Sequence, residues 1–190
     1  MRFVPTAEAT TGPFFPQRYV DPGANDLSAV AGRRAKGEPI EILGRVLQED
    51  GAPLDNLIVE IWQADAAGIF NHPADPRAAQ ADPNFLGWGR AATDKQGIYR
   101  FRTVKPGGYA LPDGGARAPH VNVMVLFSGL MRELTTTMYF EGESGNEADP
   151  VLSSVPAARR ALLLARKEGE ASYRFDIRLR GALETPFFDL

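Results

Sequence analysis

Glycine and proline punctuate this chain so often that a helical fold is hard to build from it. They number 19 and 15 in 190 residues, well above the ~12% of an average protein. Glycine loses more backbone freedom on folding than other residues, and proline lacks an N–H donor, so long helices are disfavoured. Short strands joined by turns are what such a sequence supports.

Between the breakers the sequence alternates as strands do. Tyr173, Phe175, Ile177 and Leu179 alternate with Arg174, Asp176, Arg178 and Arg180, a period of two that sets a buried face against a solvated one. Runs from Ile40 to Leu47, Leu57 to Trp62, Ile98 to Arg102, Val121 to Phe127 and Leu134 to Phe140 predict further strands. Asp50-Gly51 before Pro53 marks the turn between the first two, and Thr93-Asp94-Lys95-Gln96-Gly97 turns the chain into the third. One helix is predicted from Pro156 to about Lys167, capped by Ser154, with Ala158, Ala161, Leu162 and Ala165 on one face and Gly169 beyond its end. The predicted fold is mainly β, a β-sandwich of mixed and antiparallel sheets with one short helix. It covers residues 38–190, and an irregular N-terminal arm, residues 1–37, precedes it. Phe14 and Phe15 in that arm are expected to cover either their own domain or a neighbouring chain. Trp62 and Trp88 are expected in the core, His72 in an ordinary loop, and Arg174, Arg178 and Arg180 on a solvated or subunit-facing stripe.

Charge and composition narrow the classes of partner. A net charge of −3 gives no reason to expect nucleic acid or an anionic membrane. The chain has no cysteine, hence no disulfide, thiolate metal site or cysteine nucleophile. With two histidines, an all-histidine metal site would need ligands from other chains. Apolar stretches such as Val123 to Phe127 fall far short of the ~20 residues of a membrane span. Residues 1–6 lack the apolar core of a secretory signal. A soluble, cytoplasmic domain is the expectation.

Several short stretches occur in a specific order. They are Glu60-Ile61-Trp62-Gln63-Ala64-Asp65, Gly68-Ile69-Phe70-Asn71-His72, and Asp82-Pro83-Asn84-Phe85-Leu86-Gly87-Trp88-Gly89-Arg90. Lys105-Pro106-Gly107, Ala118-Pro119-His120-Val121-Asn122, Tyr139-Phe140 and the ending Phe187-Phe188-Asp189-Leu190 follow. From about Thr10 to Leu190, this order resembles the intradiol ring-cleaving dioxygenases, in particular the two-chain members that act on protocatechuate. The resemblance implies a mononuclear ferric iron held by two tyrosinates and two histidines, a set suited to Fe(III) because phenolate oxygens are hard anionic donors. It also implies O2-dependent opening of a catechol between its two hydroxyl-bearing carbons, here protocatechuate to 3-carboxy-cis,cis-muconate.

The ligand positions that the resemblance implies are Phe70, Tyr109, His120 and Asn122. Only Tyr109 and His120 keep the family's residue. Phe70 has no oxygen to donate, and the His-x-His pair has become His120 and Asn122, which share one strand face. The implied site is vestigial: no metal is expected in this chain, and no residue of it is expected to be catalytic. This is the pattern of an alpha-type chain, whose homologous beta chain holds the Fe(III) in a hetero-oligomer. By the same resemblance, Thr10, Thr11, Gly12 and Pro13 of the arm would help wall the partner's substrate pocket. An arginine expected just before Met138-Tyr139-Phe140 is replaced by Thr137, with Arg132 nearby.

Two other readings stay open at this point. One is a stand-alone dioxygenase whose metal is held by Tyr109, His120, Asn122 and water or another non-protein ligand. The other is a non-catalytic β-sandwich binding or scaffolding module. Tyr109 and His120 likewise have plain structural accounts, as a packed loop tyrosine and a hydrogen-bonded core histidine.

Overall fold

The computed structural model describes residues 19, 21–128, 130 and 133–189. Thr10, Thr11, Gly12, Pro13, Phe14, Phe15 and Arg132 lie outside the described residues. The strands are β1 (Ala29–Val30), β2 (Arg33–Arg34), β3 (Pro39–Leu47), β4 (Ile58–Trp62), β5 (Trp88–Ala92), β6 (Ile98–Val104), β7 (Tyr109–Ala110) and β8 (Ala116–Arg117). They continue as β9 (His120–Leu126), β10 (Leu134–Phe140), β11 (Leu164–Lys167), β12 (Ser172–Arg174) and β13 (Ile177–Arg178). Among the described residues, nine of them join in one mixed sheet, while β1–β2 and β7–β8 form separate hairpins.

The sheet is read most easily as two halves. In the first, β5, β4, β9 and β10 pair antiparallel in that order. In the second, β6, β3, β12 and β11 lie side by side, with β12 and β13 parallel to β3. The parallel pairing of β10 with β11, Tyr139 opposite Leu164, joins the halves. Alternation along the strands fills the space between them with Ile40, Ile42, Phe101, Val121, Val123 and Phe140, the burial that drives the sheet to curl. Leu27 is also buried in that cluster, and its N–H donates to the Arg102 carbonyl at 2.8 Å. Sequence and structure agree on this mainly β, sandwich-like fold.

The helix is where they part. In place of one helix from Pro156 to Lys167 there are two short pieces, α1 (Pro150–Ser154) and α2 (Ala157–Arg160), separated at Val155-Pro156. Val155 is held extended (φ −79°, ψ 136°), as a residue preceding proline prefers. Ser154 caps neither: it ends α1, its hydroxyl donating to the Val151 carbonyl at 2.7 Å, and α2 follows Pro156 without a side-chain cap. The cap of α1 is Asp149, whose carboxylate accepts from the N–H groups of Val151 and Leu152. After a short 3-10 turn over Ala161–Leu163, the predicted last turn becomes strand β11. Pairing with β10 buries Ala165 there, and this outweighs its helical spacing.

The C-terminal alternation holds in burial, with Tyr173, Phe175 and Ile177 inside, but the predicted strand is broken at Phe175-Asp176. There the Phe175 carbonyl turns to accept from the Tyr99 hydroxyl, and the Asp176 carboxylate takes the Arg45 N–H at 2.9 Å. The detour passes so close to β3 that a Cβ on Gly44 would sit 1.8 Å from the Phe175 oxygen.

Candidate functional site

The outer face of β4, β9 and β10 is where the predicted site residues meet. Along β9 the valines Val121, Val123 and Val125 point inward, which places His120, Asn122 and Met124 on the opposite face. Register sets Asn122 between Trp62 of β4 and Thr137 of β10. The loop from Gly68 to Arg77 and the β7–β8 hairpin bring Phe70 and Tyr109 over this face. That loop is clamped: the Asp75 carboxylate accepts from the Phe70 N–H at 3.1 Å and pairs with Arg77, which also donates to the Gly68 carbonyl at 2.8 Å. Gly68 is required here, with φ +73° and no room for a Cβ against the Gly108 carbonyl.

All three predicted positions with rings fall into one aromatic run. Trp62 stacks on Phe70 (6.0 Å between centroids, 9° between planes), and Phe70 meets Tyr109 edge-on at 5.6 Å. Tyr109 lies 5.7 Å from His120, and His120 lies 5.8 Å from Tyr139. His72 sits in an exposed loop and touches Trp62 edge-on at 5.7 Å.

His120 is 3% exposed. Its Nδ1 lies 2.7 Å from the Ala118 carbonyl, so Nδ1 carries the hydrogen and Nε2 bears a lone pair. That Nε2 has no hydrogen-bond partner among the described residues. Burial, together with the Arg117 charge, pulls the imidazole pKa down from 6.5 to about 4, so the ring is neutral at pH 7. Burial raises the Tyr109 hydroxyl above its ordinary value, outweighing the nearby Arg117 charge.

Beneath the run lies a polar anchor that sequence reasoning missed. Asp149, fully buried, accepts from Arg117 Nε (2.8 Å), Ala118 N (2.9 Å), Tyr139 Oη (2.8 Å) and the two N–H groups of α1. Burial opposes its ionisation, but the Leu152 N–H, Arg117 and Tyr139 outweigh that and hold the carboxyl below its usual range. The signal in the sequence was Asp149-Pro150, a capping residue before an N1 proline.

Two cavities open on this face and share Trp62. One, of about 480 Å³, is walled by Trp62, Phe70, His72, Tyr109 and Leu111. The other, of about 600 Å³, is walled by Trp62, Trp88, Arg117, Asn122, Thr137 and Val151. The tryptophans are therefore not core residues: Trp88 is 39% exposed and Trp62 half-buried, because both point outward from paired positions on β4 and β5.

The four implied ligand positions do not fit a ferric centre of the family's kind. Phe70 presents a hydrocarbon ring packed between two others, and the Asn122 carbonyl accepts from the Thr137 hydroxyl at 3.3 Å. Tyr109 and the Nε2 of His120 are the two donors left, fewer than the three protein ligands a stable mononuclear centre needs. No cluster of three or more histidine, cysteine or acidic side chains suited to a metal occurs among the described residues. Nor is any of their helices long and apolar enough to cross a membrane.

Comparison with known proteins places the fold. The dioxygenase family model matches residues 10–181. The beta chain of protocatechuate 3,4-dioxygenase from Burkholderia cepacia is 40% identical over 92% of this chain and 79% of its own length. The alpha chain from the same organism is 38% identical over 97% of both. Among solved structures, the dioxygenase domain of a carbohydrate-binding fusion protein from Streptomyces sp. SirexAA-E superposes with a TM-score of 0.61 at 26% identity, over 94% of this chain and all of that one. Mercury-inhibited catechol 1,2-dioxygenase from Acinetobacter sp. ADP1 gives a TM-score of 0.63 at 25% identity, over 80% of this chain, which spans 55% of that larger one. Fold and relatives converge: the chain belongs to the intradiol dioxygenase family.

Proposed function

We propose that this chain is an iron-free, alpha-type subunit of a protocatechuate 3,4-dioxygenase, working in a cytoplasmic hetero-oligomer whose Fe(III) is held by a homologous beta chain. The assembly would oxidise protocatechuate with O2 to 3-carboxy-cis,cis-muconate. The observation that carries the reading is the state of the two changed ligand positions. Phe70 and Asn122 are not gaps awaiting a metal. One is a member of an aromatic stack, and the other is hydrogen-bonded to the residue opposite it in the register. Loss of the ligands has been absorbed into packing, which suits a chain retained for its fold and surfaces.

In this reading Thr10, Thr11, Gly12 and Pro13 serve the partner. Backbone N–H groups near a Gly-Pro turn and threonine hydroxyls are donors suited to the carboxylate of protocatechuate. The test is co-expression with an iron-bearing beta-type chain, followed by deletion of residues 1–16. The deletion is expected to raise KM for protocatechuate several-fold while the iron content of the assembly stays the same. An unchanged KM contradicts the pocket role, and failure of the two chains to co-purify favours the scaffolding module instead.

One observation favours the stand-alone enzyme. The Nε2 of His120 is neutral and has no partner among the described residues, the state a metal ligand needs. If that reading held, Phe70→Tyr with Asn122→His would increase an activity already measurable in the isolated chain.

A further inference from the structure

The outer face of the second half of the sheet has a chemistry of its own. Register places Arg100, Leu43, Arg174 and Arg166 in a single row across β6, β3, β12 and β11. At about 4.8 Å between strands the row spans about 14 Å. Its Arg166 end opens into a groove of about 210 Å³ whose lining includes Leu162, Leu164 and Leu183, the guanidiniums of Arg166, Arg174 and Arg178, and one carboxylate, Asp176.

Two features mark this groove as a contact surface. The first is uncompensated charge. Arg174 is held by Asp176 at 3.0 Å and Glu168 at 3.8 Å, and Arg178 donates to the Gln48 carbonyl at 3.3 Å. Arg166 is exposed and has no ion pair among the described residues. Strands β3, β6, β11, β12 and β13 carry Arg45, Arg100, Arg102, Arg166, Lys167, Arg174 and Arg178 against Glu41, and the links from β11 to β13 add Glu168, Glu170 and Asp176, although the chain as a whole carries −3. The second is apolar. Leu183 is 58% exposed, the most exposed large hydrophobic residue among those described, and it lines the same groove as the guanidiniums. Arginine around an apolar centre is the composition of a protein-binding hot spot.

We propose that this groove docks an acidic segment of a partner protein, one that sets an apolar side chain against Leu183 and its carboxylates against Arg166 and Arg178. A protein partner is favoured over a nucleic acid on two grounds. The net negative charge of the chain opposes a long polyanion, and Asp176 and Glu168 interrupt the positive row where phosphates would have to follow it. The surface lies on a different half of the sheet from the candidate site, so the proposal stands whether or not iron is held elsewhere.

The test uses the full chain and a fluorescein-labelled peptide, a leucine flanked on each side by three acidic residues, followed by anisotropy at about 20 and about 200 mM salt. Arg166→Glu is expected to weaken binding about tenfold and Leu183→Ala about threefold, whereas Arg33→Glu, the same charge change on the exposed β2, leaves it within twofold. Added salt should weaken binding to the wild type more than to Arg166→Glu. Absence of binding at low salt would overturn the proposal, and so would equal weakening by Arg33→Glu, which would signify attraction by net charge alone. Tighter binding of a single-stranded oligonucleotide of equal charge would assign the groove to nucleic acid and overturn it too.

Discussion

The two outward faces of this one sheet follow the same alternation and carry opposite chemistries. On β4, β9 and β10 the outward positions are Trp62, His120, Asn122 and Tyr139, roofed by the Gly68–Arg77 loop, the β7–β8 hairpin and α1. On β6, β3, β12 and β11 they are Arg100, Arg45, Arg174 and Arg166, with the more exposed side chains facing solvent. The inward positions of both halves are the same kind of residue, Ile, Val and Phe. The difference shows where the fold leaves freedom. The interior must be filled whatever the chain does, while each outward face can be changed without loss of the fold. Asn122 occupies one such outward position.

The comparison predicts that polar groups under the roofed face govern stability far more than those on the arginine face. Removing the anchor should have the largest effect. Asp149→Ala would leave Arg117, whose side chain is 13% exposed, buried without its counter-ion, and would strip the cap from α1. A loss of about 3–5 kcal/mol in urea unfolding is expected; a loss below about 1 kcal/mol would mean that the network is dispensable.

Acid should expose the same asymmetry through His120. Its folded pKa of about 4 lies below the unfolded value near 6.5. The unfolded chain therefore takes up the proton first as pH falls. The contribution of the neutral ring is complete above pH 6.5 and is lost as pH falls towards about 4, by up to about 3 kcal/mol. His120→Leu should flatten the stability profile between those limits, and a parallel profile would contradict the burial argument. The smallest effect belongs to the other face. Arg100 and Glu41 are 4.0 Å apart and both about half exposed, so Arg100→Ala should change stability by less than about 0.5 kcal/mol.

Much of this was legible in the chain because period-two burial is local. Leu134 to Phe140 is a strand with the predicted limits, and the turn at Gly97 forms as Asp94-x-x-Gly implies, with φ +72° and its N–H on the Asp94 carbonyl. What was not legible depends on contacts far along the sequence. The stretch from Ala161 to Lys167 has helical spacing, and pairing with β10, 25 residues earlier, and with β12 makes part of it a strand. Trp62 and Trp88 read as core because nothing in their own neighbourhood says which side of β4 and β5 faces outward. The residue types at the ligand positions implied by the resemblance were visible, but the Thr137 hydroxyl that occupies Asn122 could be seen only once β9 and β10 were in register.

The central claim is that this chain is a family member without its own iron. The most direct test is the iron content of the chain purified alone after expression with ample iron, with a visible spectrum of the same sample. Iron well below stoichiometric, and no tyrosinate-to-iron absorption, is the predicted result. Near-stoichiometric iron with that absorption would contradict the account and make the chain a catalyst in its own right.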